Sequence, residues 1–378
     1  MDFSLSEEQT LLRNSVERFI ADRYEFTRRM KLAESPQGWS DENWALFAEQ
    51  GWLAIPFAEE DGGLNFGLPE MMIMMEAMGR GLVLEPFFTT VALGGGFIRR
   101  AGDDLRARII PDVIAGEYRL AFAHQERTMR HDPRGIRLTA APDGGGWRLS
   151  GEKIVVVDAP FAHSLVVSAR TGGAPGDQHG ISLFLVPADA PGIEMRRYRT
   201  VDGRHAADIR FREVAVSPDA LIGEADAGFG IIETVLAEAN TALAAEAVGI
   251  MAALQDVTLE YLRTRKQFGR HLGSFQVIQH RMADVFMAVE QARSIMLLAV
   301  LTADRERREW LRNVSAAMGL IGRLSRHVGH EAIQFHGGIG MTEELNVGHY
   351  HKRLLMIQSL FGDVHWHNRR FRELSDAA

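Results

Sequence analysis

The stretch LSGEKIVVVDAPFAHSLVVSAR, residues 149–170, decides the fold. It carries two runs rich in valine, Lys153–Val157 and Ser164–Ala169, and β-branched side chains fit a pleated, half-buried surface. Similar runs flank it at Arg119–His124, Gly135–Ala140, Trp147–Ser150, Ile181–Val186 and Ala207–Phe211. Asp143-Gly144-Gly145-Gly146 supplies hairpin-turn chemistry between two of them. No long helical pattern separates these strands, whereas parallel strands need a long crossover, usually a helix. Residues 118–225 therefore read as a middle antiparallel β-domain, not as a parallel dinucleotide-binding sheet.

On both sides the period becomes helical. In residues 1–117, Leu11, Leu12, Val16, Phe19 and Ile20 recur at helical spacing, and Ser6 before Glu7-Glu8 predicts a helix start. The pattern breaks around residues 57–63, where Glu59-Glu60-Asp61 reads as a surface loop, and resumes through Glu70–Gly79 and Leu105–Ala115. Gly94, Gly95 and Gly96 have neither the preceding strand nor the following lysine of a phosphate loop, and read as a helix break or close helix packing. Beyond residue 226, Phe229–Leu262, Val277–Ala303 and Trp310–Phe335 carry continuous apolar stripes, which implies a helical bundle. The expected class is α+β: an N-terminal helical domain (1–117), the middle β-domain (118–225) and a C-terminal helical bundle (226–378).

Composition removes several functions. Hydrophobic residues make up 46% and charged residues 24% of the 378, the balance of a globular protein. A net charge of −8 opposes nonspecific nucleic-acid binding, which needs a basic surface. With no cysteine, disulfides, thiolate catalysis and thiolate metal sites are excluded. The start, MDFSLSEEQTLL, lacks the basic-then-apolar pattern of a secretion signal, and the apolar run Ser294–Ala303 is too short to span a bilayer. A cytoplasmic protein with no membrane or nucleic-acid partner is expected.

Local motifs sharpen this order of domains. RTRKQFGRHLGSFQVIQHRMADV (263–285) and AIQFHGGIGMTEE (332–344) resemble two long segments of the acyl-CoA dehydrogenase family. GWLAIPFAEEDGG (51–63) resembles that family's N-terminal loop, and residues 149–170 its strand pair in the middle domain. The resemblance covers essentially the whole chain. LFGD (360–363) and FAHQER (122–127) look most like the small subunit of pimeloyl-CoA dehydrogenase and its relatives. It implies FAD lying between the β-domain and the C-terminal bundle, with its diphosphate and adenine reaching a neighbouring subunit. It also implies an acyl-CoA substrate, a role in fatty-acid metabolism and lipid degradation, and electron-transfer flavoprotein as a candidate acceptor. By the same resemblance Arg265 meets the pyrophosphate, where a guanidinium forks onto phosphate oxygens. Phe268 packs near the adenine, while Gln267, Gln276, Gln334 and the Gly337-Gly338 backbone complete that end of the cofactor site.

In the family a carboxylate removes the α-proton of the thioester while the β-hydrogen leaves as hydride to the flavin. That glutamate usually precedes the glycine matching Gly362, but here the residue is Phe361. Other members carry the base on the first long helix of the bundle, before an arginine, and those positions match Ala239 and Asn240. The family's tryptophan and threonine beside the flavin fall at Val155 and Val157, and its threonine–glutamate–proline at Gln125-Glu126-Arg127. Asp363 has three readings: a catalytic base two residues beyond the usual one, a helix cap with or without a flavin contact, or a metal ligand with His365 and His367. A helix would turn His365 away from the other two, so no metal site is expected. The function expected is a subunit of an FAD-dependent acyl-CoA dehydrogenase, probed against three rivals: a complete homomeric dehydrogenase using Asp363, a non-catalytic scaffold, and a flavin oxidase or monooxygenase. In the subunit reading the chain is the small subunit of a hetero-oligomer whose homologous partner supplies the catalytic base, whereas in the homomeric reading the partner is a further copy in a homo-oligomer.

Overall fold

Ser6 starts the first helix, α1 (Glu7–Arg23), as its sequence predicts. Ser6 Oγ accepts from the Gln9 amide (3.1 Å) while Gln9 Oε1 accepts from the Ser6 amide (3.0 Å), a reciprocal cap. The computed structural model describes residues 4–376, so the first three residues of the N-terminal stretch quoted above lie outside it. Next come α2 (Phe26–Glu34), α3 (Asp41–Glu49), α4 (Leu68–Gly81), a π-helical turn (Phe88–Gly94), α5 (Gly95–Ile98) and α6 (Asp103–Ile114). The helical path continues through Gly94 and Gly95 without a break. A Cβ on Gly94 would stand 2.4 Å from that of Leu120, and one on Gly95 2.8 Å from the Phe57 ring, so close packing is the correct half of that expectation.

Eight strands follow: β1 (Leu120–Ala123), β2 (Thr139–Asp143), β3 (Gly146–Val157), β4 (Ser164–Arg170), β5 (Ile181–Pro187), β6 (Ile193–Arg199), β7 (His205–Val216) and β8 (Leu221–Ile222). They form one sheet in the order β6-β7-β3-β2-β4-β5-β8, mostly antiparallel, with β1 paired in parallel to β4. Three details depart from the sequence reading. Trp147–Ser150 and Lys153–Val157 are one strand, whose ladder to β7 shifts register twice. Residues 135–138 are not strand, and β6 (IEMRRYR), with no buried face, escapes a hydrophobic pattern altogether.

The helical bundle comprises α7 (Gly228–Thr264), a two-residue-turn hairpin of β9 (Lys266–Gln267) and β10 (Arg270–His271), α8 (Gln276–Leu301), α9 (Arg307–His336), α10 (Asn346–Ile357) and α11 (Val364–Asp376). Among the described residues α7 alone is long and apolar enough to cross a membrane, and 78% of its apolar window is buried by protein, the mark of a core helix. It, not Ser294–Ala303, is the most apolar long segment. Contacts divide the chain into two compact units: Met1–Met30, Leu68–Val83 and Asn240–Ala378 form the first, Lys31–Gly67 and Leu84–Ala239 the second. In the second, Ala121, Ala123, Leu149, Val167, Phe184 and Phe211 belong to one core cluster.

In the first unit α4 and α7 approach backbone to backbone through two glycines. A Cβ on Gly79 would lie 2.2 Å from the Glu246 carbonyl oxygen, and one on Gly249 1.9 Å from that of Glu76. Beside this contact Glu246 takes both bonds of a bidentate pair with Arg353 (2.6 and 2.8 Å), each side chain 5% exposed. Gly249→Ala should therefore overpack the crossing and cost about 3 kcal/mol. The check is the denaturant midpoint, expected to fall with an unchanged slope.

Candidate functional site

In the second unit, β1 alternates. Ala121 and Ala123 enter the core cluster, while Phe122 is buried outside it and His124, two residues on, stacks on the Phe122 ring at 4.9 Å and 9°. Phe122 in turn meets Phe97 at 4.3 Å. Behind His124 lies a fully buried ammonium. Lys153 Nζ donates to Glu126 Oε1 (2.8 Å), the His124 carbonyl (3.1 Å) and Ser168 Oγ (3.2 Å), which uses all three of its protons. Glu126 also accepts from the Arg137 and Leu138 amides, at 2.9 and 3.0 Å. Burial pushes the Lys153 pKa down to about 8 against the opposing pull of Glu126. Burial first, and the Lys153 charge second, hold the His124 imidazole well below its ordinary range, so it stays neutral.

The network joins the strand end to an irregularity in β3. The Ile154 amide donates to the Gln125 carbonyl (2.8 Å), and the ladder to β7 slips between Lys153 and Val156. At that bulge Val155 takes φ +51°, a conformation a β-branched residue rarely adopts, and its side chain is exposed. Its amide turns to Asp208 Oδ1 at 3.2 Å. Val157 is half-buried. Sequence reasoning missed His124, Ser168 and Lys153. The available signal was a lysine in phase with the inward-facing residues of a strand, since Leu149, Lys153 and Val156 are the buried positions of β3.

In the first unit, the motif 263–285 folds as the β9–β10 hairpin and the start of α8. Its turn is Phe268-Gly269, with φ +56° and +79°, the signs of a type I′ turn. Asparagine or glycine normally fills the first central position. Phe268 holds it instead and is 88% exposed, with its ring edge-on to Phe275 at 6.3 Å. Arg270 stacks on the same Phe275 ring at 3.9 Å. No Asp or Glu occurs from residue 261 to 283, and Arg265, Lys266 and Arg270 form no ion pair among the described residues. Gln267 and Gln276 are exposed on the same segment. Tyr261, at the end of α7, stacks on His336 at 4.3 Å, and Arg281 of α8 pairs with Glu331 and lies over Phe335. These contacts bring the end of α9 beside the hairpin's roots. Gln334, Gly337 and Gly338 are exposed there, and a Cβ on either glycine would meet nothing within 4 Å. Cations without acids, a bare aromatic ring and an open glycine pair suit a ligand with anionic and flat aromatic parts.

Asp363 caps α11: its Oδ1 accepts from the Trp366 amide at 2.7 Å. Before it, Phe361 (φ +54°) is half-buried and Gly362 (φ +140°) is buried. A Cβ on Gly362 would meet His367 at 2.6 Å and Trp366 at 2.7 Å. Ala239 and Asn240 are both buried in α7, and Asn240 Oδ1 has no hydrogen-bond partner among the described residues. Glu238 is held by Arg99 (2.9 Å) and Arg100 (2.6 Å). Glu60 and Asp61 pair with Arg106, and Glu343 with Lys352. Among the described residues no group of three His, Cys, Asp or Glu could hold a metal.

Three family models match: acyl-CoA dehydrogenase N-terminal domain over residues 6–117, middle domain over 121–214 and C-terminal domain over 226–367. The chain is 28% identical to the probable acyl-CoA dehydrogenase YngJ of Bacillus subtilis, with 92% of each protein covered. It is also 28% identical to the human mitochondrial short-chain specific acyl-CoA dehydrogenase, covering 78% of this chain and 73% of that one. Among solved structures, a variant of the Tcur3481–Tcur3483 steroid ACAD matches with TM-score 0.89 and 29% identity over 99% of both chains. The FAD complex of PigA matches with TM-score 0.91 and 25% identity over the whole of both.

Removing the buried ammonium should test the β-domain network directly. Lys153→Met leaves the Glu126 carboxylate buried without its counter-charge, at a cost of about 3–5 kcal/mol. Glu126→Gln in the same chain should recover most of that loss in thermal unfolding. An undiminished Tm in the single variant contradicts the network.

Proposed function

Because this chain belongs to the acyl-CoA dehydrogenase family, we propose that it is the small subunit of a heteromeric FAD-dependent acyl-CoA dehydrogenase whose homologous partner supplies the catalytic base. One observation carries this reading: the residue before Gly362 is Phe361, and the alternative base position is the methyl group of Ala239, followed by the neutral amide of Asn240. Neither a phenyl ring nor a methyl group takes a proton, and general-base catalysis needs a proton acceptor within hydrogen-bond reach of the carbon acid. The neighbouring Glu238 is occupied by two guanidinium groups. The Tcur3481–Tcur3483 steroid ACAD, 29% identical to this chain, carries two protein names, which agrees with a two-chain enzyme.

The cofactor in this reading is FAD, which when bound takes the β-hydrogen of the thioester as hydride. Arg265, with Lys266 and Arg270 beside it, binds the diphosphate. Phe268 lies against the adenine, and Gln267, Gln276, Gln334 and Gly337-Gly338 hold the ribose-adenine end. The PigA complex with FAD supports the assignment. Bulky or dicarboxylic acyl-CoA thioesters are the substrate class, by likeness to the pimeloyl-CoA dehydrogenase small subunit. Electron-transfer flavoprotein as acceptor and a cytoplasmic location go with it. Asp363 as the base of a complete homomeric enzyme is the second reading, favoured by its half-buried carboxylate immediately after Gly362.

Arg265→Ala should weaken FAD binding about tenfold to a hundredfold, the value of a charge-assisted hydrogen bond, with the melting temperature of the apo-protein unchanged. Flavin fluorescence quenching reads the affinity. Anaerobic bleaching of the flavin by acyl-CoA thioesters tests the rest. The chain alone should bleach negligibly, and the chain co-expressed with its partner should bleach fully. Fast bleaching by the chain alone, abolished by Asp363→Asn at normal flavin content, establishes the homomeric reading instead.

A further inference from the structure

Three ring nitrogens of the β-domain are buried without a hydrogen-bond partner among the described residues, Nδ1 of His131, Nε2 of His205 and Nε2 of His124, and only the last belongs to a fully buried residue. The residue is 3% exposed, and Nε2 is buried with no hydrogen-bond partner among the described residues. A buried N–H without an acceptor carries the full cost of its desolvation, so such an atom calls for a partner, whether a water or a ligand.

Which hydrogen the ring carries follows from its neighbours. Ser168 Oγ lies 2.9 Å from His124 Nδ1 and receives a proton from Lys153 Nζ at 3.2 Å. Among the described residues, Nδ1 is the only acceptor hydrogen-bonded to the serine hydroxyl. Lys153 thus donates to Ser168, Ser168 donates to Nδ1, and the ring's single proton sits on Nε2. The alternative tautomer would leave the serine proton and the Nε2 lone pair both unanswered. The ring cannot swing to look for another partner, because Phe122 stacks flat against it and Phe97 backs Phe122.

The donor is tied to a specific place. Lys153 binds the His124 carbonyl, and Ile154 binds the carbonyl of Gln125. These are the strand end and the β3 bulge that stand where the family sets residues against the flavin, namely Gln125–Arg127, Val155 and Val157. We propose that the His124 Nε2–H donates a hydrogen bond to a carbonyl oxygen of the bound flavin ring, making His124 a cofactor-binding residue in this chain. Ser168 and Lys153 are its positioning residues. The inference rests on the FAD reading above.

Three variants and two states separate the outcomes. His124→Leu removes the donor and also the acceptor of the Ser168 hydroxyl, so the apo-protein should melt only slightly below wild type. FAD affinity should nevertheless fall about tenfold, with a shift in the flavin absorbance and midpoint potential. His124→Gln, whose amide reaches the Nε2 position, should restore most of the affinity. Ser168→Ala should weaken binding less, while freeing the tautomer. Imidazole nitrogen NMR of the apo-protein should report the Nε2–H tautomer, and its proton should move downfield when FAD binds. Wild-type affinity and spectrum in His124→Leu, or an Nδ1–H tautomer in the apo-protein, overturn this inference alone. An unchanged FAD affinity with weakened acyl-CoA binding places the acceptor on the thioester and also overturns it. A wild-type chain that takes up no FAD sinks the functional reading and this inference together.

Discussion

One ammonium group organises the chemistry-bearing end of the β-domain. Lys153 Nζ has no exposed surface, and removing a cation from water costs several kcal/mol unless every proton finds an acceptor. It finds three: a carboxylate, a main-chain carbonyl and a hydroxyl. The carboxylate is itself completed by two backbone amides, so the pair forms a closed polar island inside a sheet. Its geometric effect matters more than its energy. It clamps the end of β1 to β3 at the point where β3 leaves its register, and this allows Val155 to stay at φ +51° with its amide given to Asp208 and not to the ladder. The same clamp fixes the orientation and tautomer of His124.

In the function proposed above, binding features and proton-transfer features come apart in this chain. Among the described residues the hairpin's three cations have no acidic partner, and an aromatic ring stands bare at its tip. Both positions that could carry a base hold apolar side chains, Phe361 and Ala239. A surface cation is inexpensive to keep, whereas a buried base is costly to keep, because burial penalises its charged form. A chain relieved of proton transfer would lose the second kind of group first and retain the first. That asymmetry, more than any single replacement, favours a subunit that binds cofactor without completing the reaction.

Long helices and the helix start were legible because periodicity and capping act locally. Ser6 with Gln9, and the stripes that became α7, α8 and α9, needed no tertiary information. β6 was not legible, since its side chains alternate only between half-buried and exposed, and its place is set by pairing with β7. The β3 bulge was invisible for the same reason: a register slip is a property of two strands. Candidate residues in the hairpin were named from resemblance to a family, and what made them intelligible was a conformation no propensity scale assigns to phenylalanine. Lys153 shows the converse. A charge in phase with the buried positions of a strand reads as an error until Glu126, distant in sequence, supplies the reason.

Two phenylalanines share the left-handed conformation, and their surroundings give it opposite meanings. Backbone strain of this kind costs about 1–3 kcal/mol and persists only where something over-determines it. At Phe361 the determinant is internal. Gly362 is hemmed in by Trp366 and His367, Asp363 is committed to capping α11, and the chain must reverse between α10 and α11. Any residue placed there would be bent the same way, so the strain says nothing about chemistry. At Phe268 there is little such enclosure. The ring is almost wholly in water, a glycine at that turn position would relieve the backbone, and its one aromatic contact among the described residues is edge-on at 6.3 Å. Strain kept without internal compensation fits a group outside the fold, and a flat ring beside cations that form no ion pair among the described residues suits the adenine and phosphates of the cofactor proposed above.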